Sequence, residues 1–350
     1  MTRFASGLVV GKFCPLHRGH ELVIGRALAE CDRVFVLSWS VPELPGCPPE
    51  RRAAWLARRF PRAESLVLTG AVLAGLRPPP ELAELPANQA DPRLLRRFTA
   101  WVCEAAWRVR PHAVFTSEPD AGAFADELTA WFRRADPSHG GVTAVIVDRD
   151  RQIAPISGSR LREDIHALRE WIAPEVYGDF VRRAALLGGE SSGKSSLAVS
   201  LAAALGTVHA PEYGRELWEA RAGRLDFADM LHIAERQVAR EEAAARRARA
   251  WLFCDTSPLT TLFYSQHLFG RADPALESLA ARPYDLVVLC EPDFPFVQDG
   301  TRQDESFRLG QHAWYLRELE RRQVLYLPAS GDPTARLSAV LRACTLTGVG

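Results

Sequence analysis

The sequence predicts an α/β protein of two domains in series: a doubly wound domain over residues 1–175 and a second parallel-sheet domain over residues 183–350. Three observations predict it. Short apolar runs that read as buried strands alternate along the chain with stretches of helical period. A G-x-x-x-x-G-K-S string at residues 188–195 follows one of these runs near the middle of the chain. A G-K-F-C-P-L-H-R-G-H string at residues 11–20 follows the first. With 350 residues, 47% of them hydrophobic, the chain can build two sizeable cores.

Residues 7–10 read as the first buried strand and 21–31 as a helix with Leu22, Val23, Ala27 and Leu28 on one face. Between them His17 and His20 stand at a strand-to-helix turn with Lys12 and two glycines. Imidazoles at a helix start can donate to phosphate oxygens as charge builds there, and Gly19 lets a nucleotide approach the backbone. A lone histidine is most simply structural. The whole string is explained together if Gly11, Lys12, Phe13, His17, Gly19 and His20 serve a nucleotide. Residues 33–38 form a second strand, with Trp39 just beyond it, placed to stack on a flat ring. A Pro-rich loop at 41–49 precedes a helix at 50–60, whose Arg51 and Arg52 face either solvent or a substrate phosphate. Residues 77–92 are Pro-rich and irregular. The helix at 94–109 carries Trp101 and Trp107, which suit core packing.

A third strand at 112–116 runs into Ser117-Glu118-Pro119-Asp120, a polar turn at a strand end where α/β folds bind ligands. A helix at 124–134 and a strand at 142–147 follow. Then P-I-S-G-S-R-L-R at 155–162 leads into a helix at 163–171. Ser157 and Ser159 can cap it, with Gly158 between them, and leave N–H groups for phosphate. Arg162 is placed to hold the β/γ-phosphates of ATP.

Residues 173–182 form a Pro- and Gly-containing connector and the domain boundary. The run 184–187 reads as a buried strand and 196–205 as a helix. The loop between them, Gly188, Gly189, Glu190, Ser191, Ser192, Gly193, Lys194, Ser195 and Ser196, can wrap phosphate oxygens with backbone N–H groups and a helix dipole. Lys194 reaches the β/γ-phosphates and Ser195 ligates Mg²⁺. P-E-Y-G-R-E at 211–216 puts Glu212, Tyr213 and Arg215 forward as substrate contacts. A charged helix spans 227–250. The run 251–254 is a strand ending in Asp255, which either binds Mg²⁺ or accepts a proton from a substrate hydroxyl. Another strand at 286–290 is followed by a polar stretch, 298–308. That stretch is either an exposed loop or a lid whose Arg302 and Arg308 close over the transferring phosphoryl group. Residues 324–327 form a last strand, with Ala329, Ser330, Gly331 and Arg336 near an adenine.

Composition narrows the partners. Net charge is zero and no long basic run occurs, which argues against a nucleic-acid polymer as partner. No apolar run is long enough to span a bilayer, and the six residues before the first expected strand are too few for a signal peptide. Seven scattered cysteines without a C-x-x-C pair give little support to a metal site or a disulfide framework and fit a reducing cytoplasm. Of 43 Lys+Arg residues, two are lysine and 41 arginine, and the two lysines are Lys12 and Lys194. Both lie in the phosphate-loop strings, where a slim ammonium fits and a planar guanidinium does not.

The string at 11–20 resembles the H-x-G-H signature of the nucleotidyltransferase superfamily, and I-S-G-S-x-L-R at 156–162 resembles its second signature, with Ser159 where threonine is usual. Followed by a P-loop kinase in one chain, with P-E-Y-x-R-E at 211–216 and D-T at 255–256, the combination resembles the bifunctional nicotinamide-nucleotide adenylyltransferase/ribosylnicotinamide kinase (NadR) family across nearly the whole chain. The resemblance implies a Rossmann-like nucleotidyltransferase domain and a P-loop kinase domain. It implies Mg²⁺ as cofactor, ATP as co-substrate, and nicotinamide riboside and its mononucleotide (NMN) as substrates. Lys12, His17, His20, Arg162, Lys194 and Asp255 would carry catalysis. Family members with a repressor role carry a helix-turn-helix domain in front; with six residues before the first strand, none is expected here. Residues 42–92 match no motif. A homo-oligomer stays open. So do a kinase whose transferase has weakened, a fusion acting on another metabolite, and a non-catalytic nucleotide sensor.

Overall fold

The computed structural model describes residues 2–298 and 303–346. It divides into two compact units, Met1–Val176 and Tyr177–Gly350. The first runs β1 (Phe4–Val10), α1 (Arg18–Glu30), β2 (Cys31–Ser38), α2 (Pro49–Arg59), β3 (Glu64–Val67), α3 (Gly70–Gly75), α4 (Pro92–Trp107), β4 (Ala113–Thr116), α5 (Ala121–Ala135), β5 (Thr143–Ile146), α6 (Gly158–Glu163) and α7 (Pro174–Tyr177). The second runs β6 (Arg182–Leu187), α8 (Lys194–Ala204), β7 (His209–Ala210), α9 (Tyr213–Ala220), α10 (Phe227–Ala245), β8 (Trp251–Asp255), α11 (Pro258–Phe269), α12 (Pro274–Ala280), β9 (Leu286–Cys290), α13 (Glu305–Arg321), β10 (Leu327–Ala329) and α14 (Pro333–Leu346).

Each unit holds one five-stranded, wholly parallel sheet. The first has strand order β3-β2-β1-β4-β5 and the second β10-β9-β6-β8-β7. Parallel strands covered on both faces must be apolar throughout, and the central ones are: Leu8, Val34, Phe35, Val36, Val114 and Phe115 are buried in one sheet, and Ala184 to Leu187 with Val288, Leu289 and Cys290 in the other. In the first sheet the order reverses between β1 and β4, so a crevice opens above the ends of those strands. The segment leaving β1 there is 11–20, and the one leaving β4 is 117–120.

The expected α/β class and both parallel sheets are present. Several local expectations differ. The helix expected at 163–171 starts earlier: α6 begins at Gly158, with Ser157 as N-cap accepting from the Arg160 N–H at 3.2 Å. It stops at Asp164, whose carboxylate accepts from the His166 and Ala167 N–H groups and competes with helix continuation. The charged helix α10 ends at Ala245 rather than 250. In the stretch expected to be a polar loop or lid, residues 305–308 are the first turn of α13, capped by Asp304 accepting from Phe307 N–H at 2.7 Å. The final strand lies at Leu327–Ala329 instead of 324–327. No helix among the described residues is long and apolar enough to cross a membrane, and all seven cysteines are buried free thiols.

Candidate active sites

In the first unit, segment 11–20 lines a cavity of about 540 Å³ above the ends of β1 and β4. His17 is the N-cap of α1: its Nδ1 accepts from the Gly19 N–H at 3.1 Å. His20 completes the cap, its Nδ1 accepting from the His17 N–H at 3.4 Å. The two rings stack with centroids 3.7 Å apart, and the Phe13 ring closes edge-on against His20 at 4.9 Å. Burial, then the positive charges of Arg151 and Arg162, lowers the His17 pKa to about 4. Burial, then His17 and Arg151, holds His20 well below its ordinary value. Both imidazoles are therefore neutral near pH 7. His17 Nδ1 accepts from a backbone N–H, so its proton sits on Nε2, which becomes the donor available for a ligand; the His20 ring also bonds the Pro15 carbonyl. Gly19 is tightly placed: an added Cβ would lie 3.0 Å from His17 Cε1 and press on that ring.

Lys12 is exposed, and its ammonium approaches the Asn88 carbonyl at 3.5 Å. Its own carbonyl accepts from Ser38 Oγ at 3.1 Å and from the Arg52 guanidinium at 3.4 Å. Arg52 is fully buried and grips Glu43 through two bonds of 2.7 and 2.8 Å. It braces the lysine loop from behind, correcting the expectation that it faces either solvent or a substrate phosphate. Arg162 donates to the Cys14 carbonyl and, at 3.1 Å, to Ser159 Oγ. Ser157, Gly158 and Ser159 line the same cavity as Lys12 and the histidines. Trp39 also lines it; its indole N–H is committed to the Pro86 carbonyl at 3.1 Å and its ring packs on Phe98.

In the second unit, the 188–196 loop leaves β6 and enters α8 beside a cavity of about 720 Å³. Gly188 has φ +139°, and a Cβ there would sit 2.6 Å from the Cys290 carbonyl oxygen, so no other residue fits. The Lys194 ammonium lies over the loop, donating to the Gly188 and Gly189 carbonyls at 2.9 and 2.8 Å. Glu190 is tied on three sides: its N–H donates to Gln311, and its carboxylate accepts from Tyr264 Oη at 2.8 Å and the Gln303 N–H at 2.7 Å. Arg336 is buried and donates to the Ser192 carbonyl at 2.8 Å and to Gly331 and Glu291. It supports the loop from inside the unit.

Asp255 ends β8 level with Leu186 of β6, one residue short of that strand's end. It is buried, and its Oδ1 has no hydrogen-bond partner among the described residues. Such an oxygen calls for a cation or a donor. With the Ser195 hydroxyl in the first turn of α8, it suits Mg²⁺, which takes one or two protein oxygens and fills its shell from phosphate and water. No group of three or more His, Cys, Asp or Glu among the described residues could hold a metal alone. Glu212 lines the cavity with 22% of its side chain exposed. Burial, then the charge of Asp255, pushes its pKa up, opposed by Lys194 and Arg215.

The expected rear-site residues are not all gathered. Ser191 to Ser196, Glu190, Glu212 and Arg215 line the cavity. Tyr213 does not: its hydroxyl meets His232 at 3.2 Å and its ring lies under Arg236 and Arg240. Glu212 is the extended N-cap of α9 and Tyr213 its first helical residue, and the two side chains leave the backbone in different directions. Arg308 is likewise inside the protein, donating to the Phe294 carbonyl at 2.8 Å and to Glu305 at 2.9 Å. It packs under Gly189 and corrects the expectation of a lid arginine. Arg302 lies outside the described residues. Sequence reasoning missed Trp218, Leu225, Met230 and Phe269, which give the rear cavity an apolar wall, and Asn88, Arg96 and Arg151 around the front one. The Asp91-Pro92 cap-and-start pair of α4 was the available signal for the 86–92 segment.

Two parallel-sheet units, each with a phosphate-type loop at the end of its first, central strand, define a two-domain nucleotide-binding α/β protein. A family model described as an AAA domain matches residues 183–336. Two curated relatives, the Trifunctional NAD biosynthesis/regulator protein NadR of Escherichia coli (strain K12) and that of Salmonella typhimurium (strain LT2), are each 30% identical over 315 residues, spanning 85% of this chain and 71% of the relative. The chain belongs to the NadR family. Its fold is shared with the crystal structure of NadR protein in complex with NAD and AMP-PNP (TM-score 0.70) and with that of NadR protein in complex with NR (TM-score 0.68). Each is 19% identical, with 100% of this chain and 98% of the other covered.

Proposed function

We propose that the unit over residues 177–350 transfers the γ-phosphoryl group of ATP to the 5′-hydroxyl of nicotinamide riboside. The unit over residues 1–176 then joins the resulting NMN to the AMP part of a second ATP, giving NAD and pyrophosphate. As a NadR-family member the chain is an enzyme, and both reactions are ones its relatives' names and bound molecules point toward. The observation that carries the reading is the pair of separate cavities, each bordered by one of the only two lysines in the chain.

In the rear reaction, the loop N–H groups and Lys194 hold the β/γ-phosphates, and Ser195 with Asp255 would hold Mg²⁺. That ion supplies charge neutralisation on the transferring phosphoryl group. Glu212 lines the cavity and has an elevated pKa; it is the carboxylate suited to accept the hydroxyl proton as the O–P bond forms and ADP leaves. The apolar wall of Trp218, Met230 and Phe269 matches a flat heteroaromatic ring. In the front reaction the NMN phosphate is already a nucleophile, so positioning and charge stabilisation suffice. Lys12 and Arg162 attract the triphosphate, and the Nε2–H of neutral His17, with His20 stacked against it, donates as charge moves onto the leaving pyrophosphate. Trp39 offers a ring face to the nucleotide.

A substrate panel tests the reading: purified protein with MgATP and nicotinamide riboside, nicotinic acid riboside, uridine or pantetheine. Turnover of nicotinamide riboside above the others supports it. Absence of turnover with that riboside, or preference for a substrate lacking the ring, rejects it.

A further inference from the structure

We propose, resting on the adenylyl-transfer reading above, that Arg151 is a further phosphate-binding residue of the front cavity, holding the polyphosphate of the nucleotide. No phosphate motif includes residues 147–154. The segment is nonetheless a built one. The Asp148 carboxylate accepts from the Ile153 and Ala154 N–H groups at 3.0 and 2.9 Å, and the Arg151 N–H donates to the Asp148 carbonyl at 2.9 Å. Asp148 and Arg151 both take left-handed backbone conformations, φ +52° and +51°. Such conformations are disfavoured for residues with a Cβ; they persist where surrounding structure fixes them and gather at functional sites.

The turn brings the Arg151 side chain to the wall of the cavity that Lys12, His17, Ser157 and Arg162 line. One guanidinium nitrogen is anchored on the Ile156 carbonyl at 2.9 Å, immediately before Ser157. The other meets Glu118 only at 3.5 Å, the outer limit of a hydrogen bond, and the side chain is 40% exposed. The remaining charges on the wall are accounted for. Arg96 is ion-paired with Asp120, and Asp148 is spent on backbone N–H groups. That leaves Lys12, Arg151 and Arg162 facing the loosely engaged Glu118 and the Asp148 charge, which Arg151 also meets, a surplus of one cation. That surplus beside two neutral imidazoles suits a triphosphate, more highly charged than a monoester, and the pyrophosphate it releases. Arg151 is also close enough to depress the protonation of both His17 and His20, so its charge is felt where the reaction's negative charge would develop.

The test uses the full chain with Arg151→Gln and Arg151→Lys. For Arg151→Gln the KM for ATP in adenylyl transfer and the inhibition constant for added pyrophosphate should both rise about tenfold, the worth of one charge-assisted hydrogen bond. The KM for NMN should stay within twofold, Arg151→Lys should recover part of the loss, and the acid limb of the rate profile should move up in pH for Arg151→Gln. Retained riboside phosphorylation shows an intact preparation. Unchanged KM for ATP and unchanged pyrophosphate inhibition overturn the proposal, as does a rise confined to the KM for NMN. A direct calorimetric titration with pyrophosphate, made in a Lys194→Met background to silence the rear loop, decides the matter without turnover. Equal affinity with and without Arg151 overturns the proposal. Failure of the unsubstituted chain to form dinucleotide while Arg151→Gln still weakens pyrophosphate tenfold would instead reject the adenylyl-transfer reading alone.

Discussion

Arg162 donates to the carbonyl of Cys14, a residue 148 positions earlier in the sequence. One side chain thereby joins the two phosphate-loop strings of the front unit, and its second nitrogen is fixed by Ser159 Oγ at 3.1 Å. A lysine could not hold both partners with a planar fork. Arg162→Lys should cut adenylyl transfer by about 100-fold, the scale of a lost electrostatic donor, and leave riboside phosphorylation within twofold. Parallel assays of pyrophosphate release and riboside phosphorylation check this; equal losses in both would point to a folding defect and not to the site.

The front histidines should not titrate in the ordinary range. With His17 at about pH 4 and His20 well below its usual value, adenylyl transfer should show no limb near pH 6.5. The stability sign follows: the unfolded chain takes up protons at these residues first, so the front unit loses stability as pH falls from 6.5 toward 4. Gly19→Ala, which presses a methyl onto His17 Cε1, should lower transferase kcat at least tenfold. A pH–rate profile with a clear imidazole limb at 6.5 would contradict the assignment.

On the proposed mechanism, Glu212 should carry the rear unit's pH dependence. Its pKa is raised by burial and then by Asp255, so a base at this position becomes active only as pH climbs past the usual carboxylate range. Glu212→Gln should reduce phosphorylation by about 10²- to 10³-fold, in line with loss of a general base, and erase the acid limb of kcat. A residual limb in the variant would move the role to Asp255.

Glu241 is a stability probe away from both cavities. It is completely buried, takes bonds from Tyr284 Oη at 3.1 and 3.0 Å, and lies 3.6 Å from Arg282. Burial pushes its pKa up from 4.5 to about 7. The folded state therefore holds a proton that the unfolded state releases, and stability falls as pH rises from about 4.5 through 7, by roughly 3 kcal/mol in all. Glu241→Gln should remove most of that slope. Thermal unfolding of both proteins at pH 5 and pH 8 measures it; parallel slopes would contradict the account.

How far the sequence could be read depended on whether local chemistry sufficed. Loops with dense constraints were legible. Residues 11–20 and 188–195 need glycines at close approaches and a lysine at a cage, and the strings announce both. Apolar strands such as β6 and β9 were legible because burial on both faces leaves an unbroken apolar run. What was not legible depended on distant contacts. β3 reads E-S-L-V, half exposed at a sheet edge, and has no strand pattern of its own. Arg52 and Arg308 look like phosphate ligands in sequence and Arg336 like a neighbour of the adenine, yet each is a buried brace whose partners arrive from elsewhere in the fold. With 41 arginines, the residue type alone could not separate braces from ligands. Tyr213 and Glu212 are neighbours in one string and part company at the helix start, where the extended cap residue gives way to the first helical one. Asn88 and Arg151 reach the front cavity from segments that match no motif.

The most direct test of two independent phosphate cages is to follow NMN and NAD over time from nicotinamide riboside and MgATP, comparing the unsubstituted chain with Lys12→Met and Lys194→Met. The account predicts that Lys194→Met stops NMN formation but still converts supplied NMN to NAD, while Lys12→Met accumulates NMN and makes no NAD. Two variants that both turn riboside into NAD at the unsubstituted rate would contradict it.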